Sequence, residues 1–276
     1  MVISKKTKND ILVKDMMTHI VLRTKDLSIG YKSRKTQTLV ASHINIELNR
    51  GELIGLVGAN GIGKSTLLRT LTGVQQKLSG EIMIHKEELS SYNALDLART
   101  LSVVLTESIA SKNLSVYDLI ALGRQPYTNW IGKLSSEDLL KIDNAIQQTQ
   151  IENFQNKKCF ELSDGQLQKT MIARALAQDT DIIILDEPTT HLDMYHKAYV
   201  LSLLKKLSEE TNKTILFSSH EIDLAIQLCD KLIVMSEEKV IIDTPKGHIS
   251  KGNFNTLFPK DLIVFDSETN AFRVNK

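Results

Sequence analysis

The hydrophobic pattern of this chain is dominated by short, continuous apolar runs. Residues 53–57, 182–185 and 214–217 are apolar almost throughout. Runs of this kind are typical of parallel strands that are buried on both faces. Between them, apolar residues recur at helical spacing, as the leucines within 199–207 do. Strands that alternate with helices in this way predict an α/β domain around a mostly parallel sheet.

A different pattern surrounds the first of these runs. Residues 20–31 are strand-like, 39–48 alternate at Ile44 and Ile46, and 80–84 are again short and apolar. Alternation with a period of two is typical of an antiparallel strand that is buried on one face. The opening of the chain therefore predicts an antiparallel β layer wrapped round a single βα unit.

The middle of the chain changes to helical spacing. The block from about 107 to 160 contains no strand pattern, and Ser115 begins a helix with a capping sequence. Further along, Leu139, Ile142 and Ile146 form a single helical stripe. This block predicts a helical subdomain inserted into the α/β domain.

The end of the chain returns to strands. Residues 231–244 predict two strands joined by a turn, and 262–265 with 271–274 predict a further β pair. The predicted organisation is a flexible N-terminal tail over 1–19, a main domain over 20–246 with the insertion at about 107–160, and a C-terminal β extension over 247–276.

Composition narrows the class of protein. Of 276 residues, 42% are hydrophobic and 24% are charged, as in an ordinary soluble globular protein. The net charge of +1 offers no basic excess, so nucleic acid is not an expected partner. No apolar run reaches the length of a membrane span, and neither the cysteines nor the histidines show disulfide or metal spacing. A cytoplasmic, reducing location is the plain expectation.

The run 58–66 carries the strongest chemical signal. It fits G-x-x-x-x-G-K-[ST] and lies between the end of a predicted strand and the start of a predicted helix. Backbone N–H groups and the helix dipole there face a phosphate, Lys64 adds a positive charge, and the Ser65 hydroxyl can hold Mg²⁺. This phosphate loop predicts a nucleoside triphosphate site. Its predicted contacts are Gly58, Asn60, Gly61, Gly63, Lys64, Ser65 and Thr66.

A second strand, 182–185, ends in two acids. Triphosphate hydrolysis needs Mg²⁺ on the phosphate oxygens and a group that positions or deprotonates the attacking water. Asp186 can bind the metal and Glu187 can reach the water, so the pair predicts a hydrolase. The alternative is an acidic pair that only caps a strand end, and the phosphate loop in the same chain argues against it.

The segment Leu162-Ser163-Asp164-Gly165-Gln166 resembles the LSGGQ signature of ABC-type ATPases and has the same position between loop and acids. The resemblance runs from about residue 20 to 244 and implies a P-loop NTPase fold of the ABC-ATPase type. It implies ATP as the nucleotide and a homodimer in which each signature, at a helix N-terminus, binds the γ-phosphate held by the opposite subunit. Asp164 replaces the usual glycine. A carboxylate beside a phosphate is unfavourable unless it points away, for instance as a helix cap.

Three further residues match elements of that family. Tyr31 resembles the aromatic residue that stacks on adenine, although a tyrosine at a strand end can also be a core residue. Asp193 resembles the D-loop residue, which crosses the dimer interface. His220 resembles the switch histidine that contacts the γ-phosphate, so the implied catalytic set is Lys64, Glu187 and His220.

One position departs from the family pattern. The family has a glutamine that touches Mg²⁺ at a strand end, where this chain has Leu105-Thr106-Glu107. A glutamate can still bind the metal, although it would repel the γ-phosphate without it. The expected metal ligands are Ser65, Asp186 and Glu107.

The resemblance also implies what the ATPase drives. Residues 121–127, with 188–193, look like the importer branch for iron–siderophore complexes, haem or cobalamin. Such a subunit lies in the cytoplasm on the inner face of the membrane, energises separate transmembrane permease subunits and serves a substrate-binding protein indirectly. A soluble ABC protein for DNA repair or translation would show long coiled-coil insertions, or tandem nucleotide domains with a basic excess, and a small-molecule kinase would lack the signature. A soluble ABC ATPase, for example in Fe–S cluster assembly, is the main alternative.

Overall fold

A computed structural model describes residues 19–33, 36–105, 113–258, 261–267 and 269–274. Residues 1–18 of the predicted tail and the predicted metal ligand Glu107 lie outside these ranges. No helix in the described ranges combines the length and the apolar character that a membrane span requires.

The described residues form thirteen strands and eight helices. The strands are β1 (Ile20–Lys32), β2 (Gln37–Ile44), β3 (Glu47–Asn49), β4 (Leu53–Val57), β5 (Ser79–Ile84), β6 (Glu87–Glu88), β7 (Leu101–Val104), β8 (Ile182–Leu185), β9 (Thr214–Ser219), β10 (Lys231–Met235), β11 (Val240–Asp243), β12 (Ile263–Asp266) and β13 (Ala271–Val274). The helices are α1 (Lys64–Leu71), α2 (Ala94–Thr100), α3 (Val116–Ala121), α4 (Ser136–Thr149), α5 (Asp164–Ala177), α6 (Met194–Thr211), α7 (Ile222–Leu228) and α8 (Pro245–Ser250). Short 3₁₀ turns cover Leu89–Ser91, Leu122–Tyr127, Glu152–Phe154, Cys159–Glu161 and Asn253–Thr256.

A six-stranded sheet in the order β11-β10-β4-β9-β8-β7 forms the centre of the fold. Every neighbouring pair is parallel except β10 and β11, which form the predicted hairpin. Successive side chains of each strand face opposite cores. In β4, Leu53 and Val57 join a core with the helices, whereas Ile54 and Leu56 join one with the antiparallel sheet and α1. The predicted burial of these strands on both faces is confirmed.

The predicted antiparallel layer is confirmed, with one correction. Strand β1 pairs with β2, β3 and β5, and β5 with β6, all antiparallel. The run 39–48, predicted as one alternating strand, is divided between β2 and β3. Between them the hydroxyl of Thr24 donates to the carbonyl of Ile44 and accepts from the N–H of Ile46, at 2.8 and 3.1 Å. A side chain therefore takes the place of part of the main-chain ladder.

The described part of the predicted helical block, from residue 113 to 160, contains helices and 3₁₀ turns and no strand. Ser115 caps α3 in a capping box with Asp118, as its sequence predicts. The stripe predicted in α4 is partly wrong, because Leu139 is exposed. The buried face of α4 begins one residue earlier, at Asp138, whose charge is paired inside the fold. The predicted fold class is confirmed, whereas the division into domains stays a prediction.

The predicted C-terminal β pair is present as an antiparallel hairpin of β12 and β13. Its rings Phe265 and Phe272 lie 5.1 Å apart, and Phe265 lies 4.8 Å from Phe254. All three belong to or pack against the core under the helices. The hairpin is therefore attached through an aromatic cluster.

Candidate nucleotide-binding site

The phosphate loop occupies the position that its sequence predicts. Strand β4 ends at Val57 and α1 begins at Lys64, so the loop spans the six residues between them. Gly63 precedes the helix with φ of 111°, where a residue with a side chain is strained. A β-carbon added there would lie 2.3 Å from Cγ1 of Val40. Backbone conformation and close packing both require glycine at this position.

Lys64 lies inside this loop rather than on the surface. Its residue is 5% exposed, and Nζ donates to the carbonyls of Gly58 at 2.9 Å and Ala59 at 3.2 Å. Burial lowers the pKa of the Lys64 ammonium, while the negative charges of Glu187 and Asp186 act in the opposite direction. The loop thus holds a buried cation close to two carboxylates.

Ser218, at the end of β9, fixes the two acids that follow β8. Its hydroxyl donates to Oδ1 of Asp186 at 2.6 Å and accepts from the backbone N–H of Glu187 at 2.8 Å. Asp186 is 4% exposed, and its own N–H donates to the carbonyl of Val104 in β7. Three adjacent strands therefore orient the carboxylate pair.

Glu187 has a constrained backbone and a firmly held side chain. Its φ of 49° lies in the left-handed region, which is uncommon for a residue with a side chain and occurs preferentially at functional sites. One carboxylate oxygen accepts from Thr190 at 2.9 Å, and the other lies 2.7 Å from Nε2 of His220. Burial alone would raise the pKa of Glu187, but these hydrogen bonds and the nearby positive charges outweigh it and hold the pKa below its usual value.

His220 lies between Lys64 and Glu187. Nζ of Lys64 lies 3.5 Å from Nδ1 of His220, at the long limit of a hydrogen bond. An ammonium can only donate, so a hydrogen bond here requires Nδ1 to accept and Nε2, which faces Glu187, to carry the ring proton. Lys64, His220 and Glu187 thus form a continuous polar chain. The three residues expected to be catalytic are brought together.

Tyr31 reaches the same loop from β1. Its hydroxyl lies 2.9 Å from Oγ1 of Thr66, in the first turn of α1. The residue is 54% exposed, so it is not the core tyrosine that the sequence left as an alternative. The position at the edge of the loop leaves much of the ring accessible to a planar ligand.

The signature segment lies at the start of α5, as expected, with a different cap. Ser163 is the N-cap, and its side chain and that of Gln166 each accept from the other's backbone N–H, at 3.4 and 3.2 Å. The suggestion that Asp164 caps the helix is therefore wrong. Asp164 is the first helical residue and is exposed, and a carboxylate there is favoured by the helix dipole. Leu162 is half-buried against the core and Gly165 is buried.

The D-loop residue Asp193 is the N-cap of α6 and is exposed. Within the described residues, no hydrogen bond or ion pair joins the signature segment to the phosphate loop. The residues predicted to bind the triphosphate thus fall into two groups in one chain. One surrounds Lys64, and the other surrounds Ser163.

The oxygen donors near the loop suit a hard divalent cation. Asp186 keeps one carboxylate oxygen free of any hydrogen bond to the described residues, and Ser65 follows Lys64 at the start of α1. The described part of the chain contains no cluster of three His, Cys, Asp or Glu side chains. Mg²⁺ that accompanies a nucleotide needs few protein ligands, because phosphates and water complete its octahedron. The oxygen atoms of Asp186 and Ser65 therefore fit Mg²⁺. The third expected ligand, Glu107, lies outside the described residues.

The sequence did not predict two residues of the site, Ser218 and Thr190. Both bind the acidic pair directly, through the bonds given above. Ser218 interrupts the apolar run of β9, and a polar residue at the end of a buried strand was a usable signal. Thr190 has no such signal, because its contact depends on the turn after Glu187.

Comparison with known families agrees with this geometry. Residues 41–190 match the ABC transporter family. The chain belongs to that family. The matched segment contains the phosphate loop, the signature and the acidic pair, so the protein is an ABC-type ATP-binding cassette.

Curated relatives match most of this cassette. The uncharacterized ABC transporter ATP-binding protein MJ0873 of Methanocaldococcus jannaschii is 40% identical over 80% of this chain and 75% of its own. The petrobactin import ATP-binding protein FpuD of Bacillus anthracis is 36% identical over 79% of each chain. The iron(3+)-hydroxamate import ATP-binding protein FhuC of Bacillus subtilis is 32% identical over 80% of each chain.

A solved structure has the same fold as this chain, although the two sequences are only distantly similar. The ATP-binding cassette MJ0796, a dimer in a post-hydrolysis state with bound ADP and Pi, has a TM-score of 0.69 and 26% identity. The match covers 81% of this chain and 98% of MJ0796.

Proposed function

We propose that this cassette is the ATP-hydrolysing subunit of an importer for an iron–siderophore, haem or cobalamin-type complex. Two of its relatives are import subunits, one for petrobactin and one for iron(3+)-hydroxamate, which favours an iron–siderophore cargo. Their names favour coupling to transport over the Fe–S assembly alternative. The cassette would dock on transmembrane permease subunits at the inner face of the membrane and serve a substrate-binding protein only indirectly.

The phosphate loop would bind the triphosphate through its backbone N–H groups and Lys64. Tyr31, exposed beside the loop, would stack on the adenine. Ser65, Asp186 and Glu107 would hold Mg²⁺, which supplies positive charge at the β- and γ-phosphate oxygens. The remaining catalytic contribution comes from side chains that this chain positions.

The polar chain from Lys64 through His220 to Glu187 is the observation that carries the proposal. The pKa of Glu187 lies below its usual value, so this carboxylate is ionised at neutral pH and can accept a proton from water. His220 would bind the γ-phosphate beside it. Ser218 and Thr190 limit the movement of Glu187, which keeps it in one orientation.

A single chain would contribute only half of each site. The signature segment has no polar link to the phosphate loop of its own chain among the described residues. Ser163 to Gln166, at the N-terminus of α5, would therefore bind the γ-phosphate held by a second copy. Asp193 would lie at the same interface, so that ATP closes a homodimer and hydrolysis reopens it.

Steady-state ATP hydrolysis tests the catalytic assignment. Glu187→Gln should lower kcat by at least about 100-fold, because the amide cannot take a proton, while ATP binding persists. Lys64→Ala should abolish detectable binding of ATP. Glu210→Gln is a matched control on the surface, where the carboxylate is half-exposed and 3.8 Å from Lys206. Hydrolysis at the wild-type rate by Glu187→Gln would remove the basis of the proposal.

The cargo is tested separately from the chemistry. The cassette, reconstituted in vesicles with a candidate siderophore permease, should accumulate a ⁵⁵Fe-labelled siderophore in an ATP-dependent manner. Uptake of labelled cobalamin instead would correct the cargo and leave the ATPase assignment intact. ATP hydrolysis that no permease stimulates would favour the soluble alternative.

A further inference from the structure

The starts of α5 and α6 are connected by side chains that the catalytic assignment does not use. Helix α5 begins with the signature, and α6 begins immediately after the D-loop. A β-carbon added at Gly165 would lie 3.0 Å from Cδ2 of His196. The imidazole of the D-loop helix therefore lies directly against the backbone of the signature.

The opposite edge of the same ring is bound to the D-loop. Nδ1 of His196 lies 2.8 Å from Oδ1 of Asp193, and this oxygen also accepts the backbone N–H of His196 at 2.8 Å. Nδ1 and Cδ2 lie on opposite sides of Cγ. One ring thus contacts Asp193 with its nitrogen edge and Gly165 with its carbon edge.

The contact continues one helical turn further along both helices. Nζ of Lys169 lies 3.9 Å from the centre of the Tyr199 ring, and the Tyr199 hydroxyl donates to Oε1 of Gln150 at 3.0 Å. Gly165 and Lys169 are four residues apart, and His196 and Tyr199 are three apart, so each pair shares one face of its helix. The signature and D-loop helices are therefore joined along a common face.

We propose that His196 is a positioning residue that holds the signature and the D-loop of one chain at a fixed spacing. This inference rests on the proposed function, in which both segments act on the ATP held by the partner chain. A fixed spacing lets the two segments arrive at that site as one unit. His196 does not touch ATP in this arrangement and acts through Gly165 and Asp193.

Three variants separate the two contacts of the ring. His196→Ala removes both contacts, His196→Phe keeps a ring against Gly165 without the nitrogen, and His196→Asn keeps a donor for Asp193 without the ring. Tyr199→Phe is the matched control, because it removes a hydrogen bond from the same face and leaves both contacts of His196. For each, kcat and KM for ATP are measured on the intact chain, together with the melting temperature.

A positioning role changes kcat far more than KM. His196→Ala should lower kcat between about 10-fold and 100-fold, since a displacement of about 1 Å can have that effect. Its KM should stay within about twofold, because the phosphate loop of the same chain is unchanged. His196→Phe and His196→Asn should each lower kcat by a smaller factor, and Tyr199→Phe should match the wild type.

In the Glu187→Gln background at saturating ATP, His196→Ala should also raise the protein concentration needed for half-maximal dimerisation by about tenfold. A wild-type kcat in His196→Ala would overturn the inference, and a wild-type kcat in His196→Phe would overturn the linkage to Asp193. If His196→Ala does not fold, the Phe and Asn variants decide. Absence of hydrolysis in the wild type would instead count against the proposed function, so the two failures are distinguishable.

Discussion

Replacing Arg124 by methionine would break an ion pair that is buried in the helical part of the fold. Nε of Arg124 lies 2.8 Å from Oδ1 of Asp138, and each side chain is 4% exposed. Nη1 donates to the carbonyl of Ala177 at 2.9 Å, and the guanidinium lies 3.9 Å from the centre of the Tyr127 ring. Arg124 therefore connects the 3₁₀ turn Leu122–Tyr127 to α4 and to the end of the signature helix α5.

The expected loss of stability follows from the burial of the partner. Methionine fills most of the volume but leaves Asp138 charged and without its cation, which costs about 3–5 kcal/mol in unfolding free energy. Urea unfolding followed by circular dichroism should show a midpoint lower by about 1 M or more. Lys206→Met is the control, because its pair with Glu210 is half-exposed on each side and should contribute less than about 1 kcal/mol.

The loss should also depend on pH. Burial raises the pKa of Asp138, but hydrogen bonds from Ser135 and the charge of Arg124 outweigh it and hold the pKa below its usual value. A carboxyl with a lowered pKa contributes stability above its unfolded pKa, and this is lost as the pH falls through the folded pKa. Without Arg124 the folded Asp138 takes up a proton at higher pH, so the deficit should be largest near pH 7 and shrink toward pH 4. A variant within about 1 kcal/mol of the wild type at pH 7 would refute this reasoning.

Three further predictions concern the nucleotide site. Gly63→Ala should weaken ATP binding by at least about tenfold in a fluorescent-nucleotide titration, because the added carbon meets Val40 at 2.3 Å. Gly61→Ala, where φ is also positive at 75° but the added carbon meets no atom within 4 Å, should have a smaller effect. Ser218→Ala should lower kcat by about 10- to 100-fold with little change in ATP affinity, since it releases both acids, and an unchanged kcat would contradict this role. Tyr31→Ala should raise the Kd for ATP by about tenfold, in line with the loss of a stacked ring, while Tyr31→Phe should bind ATP like the wild type.

The local order of the chain was sufficient to predict the sheet and the loop. The apolar runs of β4, β8 and β9 have no polar face, so they predict strands that are buried on both faces. The phosphate loop at residues 58–66 is formed by consecutive residues, so its sequence pattern alone predicts it. The run 39–48 was mispredicted because a single side chain, Thr24 in β1, interrupts its pairing. Periodicity along one strand carries no information about such a contact from another.

Contacts between residues that are distant in sequence could not be predicted, because no local pattern shows which side chains meet. Arg124 drew attention as part of a segment that resembles importer cassettes, and the structure shows it buried against Asp138 in α4. No sequence motif distinguishes His196, and only the fold places it between Gly165 and Asp193. Asp164 was expected to cap a helix that Ser163 caps instead, because Ser163 and Gln166 satisfy each other's backbone. Each case depends on which side chains meet in space.

In the proposed function, two copies of this chain complete each other's ATP sites. Light scattering during size-exclusion chromatography of Glu187→Gln measures this association, because the variant should bind ATP without releasing it by hydrolysis. The particle mass should rise from the 31.0 kDa of one chain to twice that value when ATP and Mg²⁺ are added. Ser163→Arg in the same background should prevent this rise. A species that stays at 31.0 kDa with ATP bound would contradict the shared ATP sites of the proposed homodimer.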